Sequence, residues 1–243
     1  MNLIQTRYIG RKPTLTKPIL IEGLPGIGNV GKVAVDFMID ELKAVKLFEL
    51  FSYTFPHSVF VNENNLVELP TIEIYYKKMK KGNDLLLLAG DVQPIDEVSC
   101  YEFSEKVLDI MEEFKGAEIV TLGGIGLQSV PKKPKVYCTG NSADIVTNYK
   151  KGTELNEKIY GVVGPIVGVS GLLLGLAEKR NIPAIAFLGL KQTDIDRYKQ
   201  AFSNLGYRVK VGEPRLILSP LDLGNIYSLT VYSKSLGVEN DKM

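Results

Sequence analysis

The residues with the clearest potential for chemistry lie in "IEGLPGIGNVGKV", residues 21–33. Gly26, Gly28 and Gly31 fit G-x-G-x-x-G, a spacing that lets backbone approach a pyrophosphate at a helix N-terminus. Gly26 through Lys32 also fit the G-x-x-x-x-G-K of a P-loop, but Val33 stands where a Ser or Thr hydroxyl must hold magnesium. A helix beginning near Gly28 turns Lys32 almost opposite the Val30–Ala34–Phe37 face, towards the surface. A dinucleotide site also needs an acid about 20 residues on. Glu49 is the match, and it lies within "LFELF" rather than after it. The loop therefore reads as a tight strand-to-helix turn that needs glycine for folding, with anion binding as the alternative.

Two more strand ends carry such loops. In "GDVQPID" (90–96), Asp91 is a candidate carboxylate without a paired acid beside it. The simpler reading is a helix entry, with Asp96 as cap and Glu97 favourable at the helix dipole. "GGIG" (123–126) puts glycine at a third strand end. Gly23, Gly26, Gly28, Gly31, Asp91, Gly123, Gly124 and Gly126 thus make a candidate rim. It is either a crevice for a ligand or a flat platform for a protein partner. Gly164, Gly168, Gly171 and Gly175 recur at spacings of four, three and four, on one face of an expected helix over 164–181. Interior glycines cost about 1 kcal/mol each relative to alanine, so the stripe implies close packing, against the sheet or against another subunit. Neither a catalytic set nor a cofactor or metal site is legible. The single histidine, His57, cannot build a histidine cluster, and Cys100 and Cys138 form no C-x-x-C. They read as buried, reduced thiols of a cytoplasmic protein.

These residues need elements to position them. Short apolar runs at 18–23, 84–92, 117–124 and 182–189 read as strands buried on both faces. "KLFELFS" (46–52), "SVFVNEN" (58–64), "TIEIYYKK" (71–78) and "PKVYCTG" (134–140) read as further strands. Helical periodicity marks 28–43, 95–115, 142–151, 164–181 and 193–206. Past 213, "RLILS" is a possible strand, and 222–236 is a helix or extended. Apolar strands alternating with amphipathic helices mean βαβ units, a largely parallel sheet and helices on both faces. The polar region 46–80 adds antiparallel strands. No linker divides the chain, so residues 1–243 read as a single α/β domain with a mobile polar tail, "GVENDKM", at 237–243.

Composition narrows the function. Of 243 residues, 45% are hydrophobic, and 29 Lys and Arg balance 28 Asp and Glu. Near-neutral charge argues against a nucleic-acid partner held by bulk electrostatics. No run approaches the roughly 18 apolar residues of a membrane helix, and the first residues lack the apolar core of a signal peptide. A cytoplasmic location without membrane contact is the expectation.

Four motifs in order, "EGLPGIGNVGKVAVDFMI", "GDVQP", "VTLGGIG" and "GPIVGVSGLLLGLAEKRNIPAIAFLG", resemble the archaeal proteasome assembly chaperone family, relatives of the eukaryotic chaperones that help build the proteasome α-ring. The resemblance spans about residues 18–206. It implies a three-layer α/β/α fold of phosphorylase/hydrolase-like architecture, homo-oligomers, no enzymatic activity, and proteasome α subunits or a family paralogue as partners. Members that dock on the proteasome resemble its activators in ending hydrophobic–Tyr–any residue, whose carboxylate pairs with a lysine. This chain ends Asp241-Lys242-Met243, while Ile226-Tyr227-Ser228 and Val231-Tyr232-Ser233 carry the side-chain pattern without a carboxylate. The expected function is a non-enzymatic, oligomeric, chaperone-like scaffold. The alternative is a small-ligand or nucleotide-binding enzyme that uses the glycine loops.

Overall fold

The structure, a computed structural model, describes residues 4–125, 136–157, 159 and 165–189, and the backbone of 215–217 and 230–232. The apolar runs become the centre of an eight-stranded sheet. Strands β1 (Gln5–Tyr8), β2 (Ile19–Gly23), β3 (Val45–Phe51), β6 (Ile72–Lys77), β7 (Leu85–Gly90), β8 (Glu118–Gly124), β9 (Tyr137–Gly140) and β10 (Ala184–Gly189) lie in the order β1-β3-β6-β7-β2-β8-β10-β9. The four central strands, β7, β2, β8 and β10, run parallel. β2, β7 and β10 are buried along their whole length and β8 through its middle, as parallel strands covered on both faces must be. Antiparallel strands join on both sides: β6, β3 and β1 on one and β9 on the other. The sequence pointed to antiparallel pairing within 46–80; the antiparallel β9 edge is an addition.

Side-chain alternation along the strands builds two apolar layers. Leu20, Leu86, Leu88 and Ile119 meet α2 (Glu97–Glu113) and α4 (Val169–Lys179), packing on Phe103, Val107 and Leu173. Ile19, Ile21, Leu87 and Val120 meet α1 (Val30–Leu42) and α3 (Ala143–Lys150), packing on Ala34, Met38 and Ile145. The result is a three-layer α/β/α arrangement. Helix α2 starts where the sequence placed its cap, the Asp96 carboxylate accepting from Ser99 N–H at 3.0 Å. Arg180, after α4, binds Glu105, Asp109 and Glu112 along α2 and laces the two helices together.

Several boundaries differ from expectation. Helix α4 begins at Val169, not 164, because Gly168 at φ +86 is outside helical space and Pro165–Val167 precede it as coil. Helix α1 begins at Val30, after a 3-10 turn at Ile27–Asn29 in which Gly28 has φ +67 and Asn29 is left-handed. The expected strand over 58–64 shrinks to β4 (Phe60–Val61), which pairs with β5 (Val67–Glu68) as a separate hairpin. Its turn is set by the Asn62 carboxamide oxygen, which accepts from the N–H groups of Asn64 and Leu66 at 3.0 Å each. Short strands β11 (Arg215–Ile217) and β12 (Thr230–Tyr232) pair antiparallel. The helix expected over 193–206 lies outside the described residues.

Candidate functional site

The loops of the candidate rim gather at the carboxyl ends of the parallel strands, the end where open α/β sheets bind ligands. Neighbouring β2 and β7 feed helices on opposite faces, α1 and α2, so their loops part there. The glycines at this point hold backbone against backbone. A Cβ on Gly23 would collide with the Gly31 carbonyl, one on Gly31 with the Leu122 carbonyl, and one on Gly124 with the Ile27 carbonyl. Gly28 supplies a left-handed turn, and Gly26 faces open space. The glycine loop is therefore seated directly on β8, with no side chains between.

Beside it opens a cleft of about 720 Å³, bounded by the loops after β2, β7 and β8 and by the start of α4. Gly26, Gly31, Gly123 and Gly124 line it, as does Gly168. Its mouth is apolar: Ile27, Ile95 and Val167 are 63%, 74% and 81% exposed. Among the described residues that line it there is no Lys, Arg or His.

Gln93 ties the walls together. Its Nε2 donates to the Pro25 carbonyl at 2.6 Å, and its Oε1 accepts from Val169 N–H at 3.3 Å. One side chain thus joins the loops after β2 and β7 to the first turn of α4. Below the floor lies Glu22, wholly buried in β2. Its oxygens accept from Leu24 N–H at 2.9 Å and from the Ser170 hydroxyl at 2.8 Å. Burial pushes its carboxyl up to about 7, against the opposing pull of those two hydrogen bonds. In register beside it on β8 is Thr121, whose buried hydroxyl has no hydrogen-bond partner.

Asp91 faces elsewhere. It lines a separate hollow of about 240 Å³ with Lys32, Asp36, Thr71 and Tyr75. Its Oδ2 accepts from the N–H and hydroxyl of Thr71, both at 3.2 Å, and Lys32 Nζ lies 3.8 Å from its Oδ1. Lys32 also pairs with Asp36 at 3.0 Å. Asp91 thus fastens β6 to β7, while Lys32 points away from the glycine cleft. Gly126 and Gly164 lie outside the described residues. The remaining stripe glycines play three different parts. Gly168 caps α4, with Gln93 Oε1 2.6 Å from where its Cβ would be. Gly171 packs on the Ile166 carbonyl of its own chain, and Gly175 is exposed with nothing within 4 Å.

Sequence reasoning passed over Gln93 and Glu22. The available signal for Glu22 was an acid inside the apolar run "PILIEG"; Gln93 sat within the quoted "GDVQP". Among the described residues, no group of three or more His, Cys, Asp or Glu could hold a metal ion. No helix among them is long and apolar enough to cross a membrane.

The family model of the PAC2 family matches residues 20–209, the segment that contains every loop of the cleft. The chain belongs to the PAC2 family. This PAC2 protein is 32% identical over 186 residues to an uncharacterized protein of Methanocaldococcus jannaschii, covering 76% of this chain and 70% of the relative. It is 33% identical to PbaB of Pyrococcus furiosus, an archaeal proteasome activator, with a TM-score of 0.78 over 86% of this chain and 92% of that one. PbaA of the same organism, an archaeal homologue of proteasome-assembly chaperone, shares the fold at 20% identity, with a TM-score of 0.67 over 85% and 88%. The resemblance carried by the four ordered motifs is thus a true family relationship, and the architecture it implied is that of the PAC2 fold.

Proposed function

We propose that this PAC2 protein is a non-enzymatic, cytoplasmic, chaperone-like scaffold of the proteasome system. In this reading it is a homo-oligomer that presents the strand-end rim to proteasome α subunits or to a family paralogue. The observation that carries the reading is its likeness, at 33% identity over most of both chains, to an archaeal proteasome activator. The site supports it. An apolar mouth rimmed by exposed Ile27, Ile95 and Val167 suits burial by a protein surface. Glu22, the acid tuned towards neutrality, lies under the floor and is committed to holding Leu24 and Ser170 in place. The test is to mix the purified protein with the α subunits or core particle of its own organism, then run size-exclusion chromatography with light scattering. Co-elution that Ile95→Asp and Val167→Asp abolish is expected; no co-elution under any condition refutes the reading.

The cleft itself, about 720 Å³ at the strand ends where open α/β sheets bind ligands, favours one second reading, a small ligand. A thermal-shift screen with nucleosides and nucleotides decides: a bound ligand should raise the melting temperature. No response to either removes this reading.

A further inference from the structure

Opposite the cleft, at the amino ends of the parallel strands, the loops carry an excess of lysine. The residues that lead into β2 (9–18) and those that join β6 to β7 (77–84) hold seven Lys and Arg and one acid, Asp84. The whole chain has a formal net charge of only +1. The strand register sets these loops side by side. Ile19 lies between Leu85 and Glu118, so Lys17, the turn at 78–81 and Lys115 lead into three neighbouring strands about 4.8 Å apart. Val45 opposes Tyr76, which brings Lys43 to the same end. Asp84 binds the loops together: it is buried, and its oxygens accept from the N–H groups of Thr16 and Met79 at 2.7 Å each. Asn83 Nδ2 donates to the Lys17 carbonyl at 2.6 Å, and Ala117 N–H donates to the Pro18 carbonyl at 2.8 Å. The one acid of the two loops is thus spent on backbone. Lys17, Lys43, Lys78, Lys80, Lys81 and Lys115 are exposed. None of the six forms an ion pair among the described residues.

The backbone adds a second observation. Lys17, Lys43 and Lys115 have φ of +41, +50 and +53. The other non-glycine residues with positive φ among the described residues are all asparagine: Asn29, Asn65 and Asn181. Gly and Asn adopt that conformation most readily, so folding alone does not call for lysine. Lys43 and Lys115 also complement the carboxyl ends of α1 and α2; Lys17 follows no helix.

We infer that this end of the sheet is a docking surface for an acidic polypeptide segment. Lysines are point charges on flexible stems, suited to carboxylates presented in varied geometry. A nucleic acid finds little here beyond charge. The exposed ring of Tyr8 packs on Phe48 at 4.1 Å and its hydroxyl is held by Glu113, so it offers no platform for a base. The patch is also bounded by acids: Asp40 and Glu41 close α1, and Glu112 and Glu113 close α2. A long polyanion or an anionic bilayer spread over the whole end meets these acids, whereas a short segment lying across the lysines does not. Because the cleft is at the other end, the inference stands whichever partner the cleft takes.

Fluorescence anisotropy of a labelled oligoglutamate with the full chain tests it. The wild type should bind the peptide at about 20 mM salt and release it by about 300 mM, where exposed charges are screened. Lys80→Gln with Lys81→Gln should weaken binding about three-fold or more, two exposed pairings being lost. Lys17→Asn should weaken binding about two-fold while its Tm holds or rises, which separates a lost contact from a lost fold. Lys150→Gln with Lys151→Gln, which removes the same charge from the end of α3, should bind as the wild type does. No binding at low salt, wild-type binding by the 80 and 81 variant, or an equal loss in the α3 variant overturns the inference. Equal or tighter binding of a labelled oligothymidylate or of anionic lipid vesicles through the same lysines overturns the acidic polypeptide as the partner.

Discussion

Replacing Glu22 by Gln should make the protein more stable at pH 8 and leave it nearly unchanged at pH 4.5. Glu22 is a carboxylic acid in the central strand with no exposed surface, and its folded-state pKa rises from an ordinary 4.5 to about 7 because burial penalises the charge. The folded protein therefore binds a proton more tightly at this site than the unfolded chain. Below the unfolded value the side chain is neutral in both states and costs nothing. As pH climbs from 4.5 to about 7, the native state must keep the proton or bury the charge, and stability falls. Above about 7 the loss is complete. At 1.36 kcal/mol per unit it amounts to about 3 kcal/mol, or roughly 6–12 °C in Tm for a chain of this size. Gln keeps the geometry: its oxygen can accept from Leu24 N–H and its amide can donate to the Ser170 oxygen. The assay is urea unfolding of both proteins at several pH values between 4.5 and 8. The quantity to read is the difference between them, because other carboxylates titrate alike in each. Glu49 and Glu113, held low by hydrogen bonds from Arg7 and from Lys12 and Tyr8, pull the other way at acid pH. A difference that stays constant across the range would refute the reasoning.

Two further predictions concern glycine and thiols. Gly31→Ala and Gly124→Ala drive a methyl into the Leu122 and Ile27 carbonyls, so each should cost more than about 4 kcal/mol or abolish folded expression. Gly175→Ala, on an exposed helical position with open space around it, should add up to about 1 kcal/mol; denaturant midpoints measure all three. Cys100 and Cys138 are buried, and burial raises both thiols, Cys138 to about 11, so neither should react with an aromatic disulfide at pH 8 until the protein is unfolded. Reaction of either at the rate of a free thiol would contradict the packing described.

The central strands were legible in the sequence because "LLLLAG" and "EIVTLGG" are apolar beyond what one buried face requires. Helix α2 was legible from Asp96 at the cap and the Phe103–Val107–Ile110 spacing. Strand β1 was not: "QTRY" is mostly exposed and owes its form to pairing with β3. The start of α4 was hidden because Pro165 is a good first-turn residue, and the positive φ of Gly168 is a tertiary fact, enforced beside Gln93. At the rim, glycine at three strand ends was readable from spacing. Which cleft Asp91 joins depends on how β6 pairs with β7, with Ile72 opposite Gly90, and no local pattern encodes that. Glu22 and Gln93 become informative only when strand and loop partners remote in sequence close around them.

The seating of the glycine loop on β8 has a consequence for how the molecule assembles. Gly31 meets Leu122, and Gly124 meets Ile27, across a long stretch of intervening chain. Local contacts of α1 with β2, such as the Gly31 carbonyl on Gly23, can form early, but the seat on Leu122 exists only once β8 lies beside β2, after the α2 crossover from β7. Such long-range closure is the slow part of folding an α/β sheet. Refolding should therefore complete the seating of the glycine loop late, and a chain halted before residue 122 should leave that loop without its support on β8.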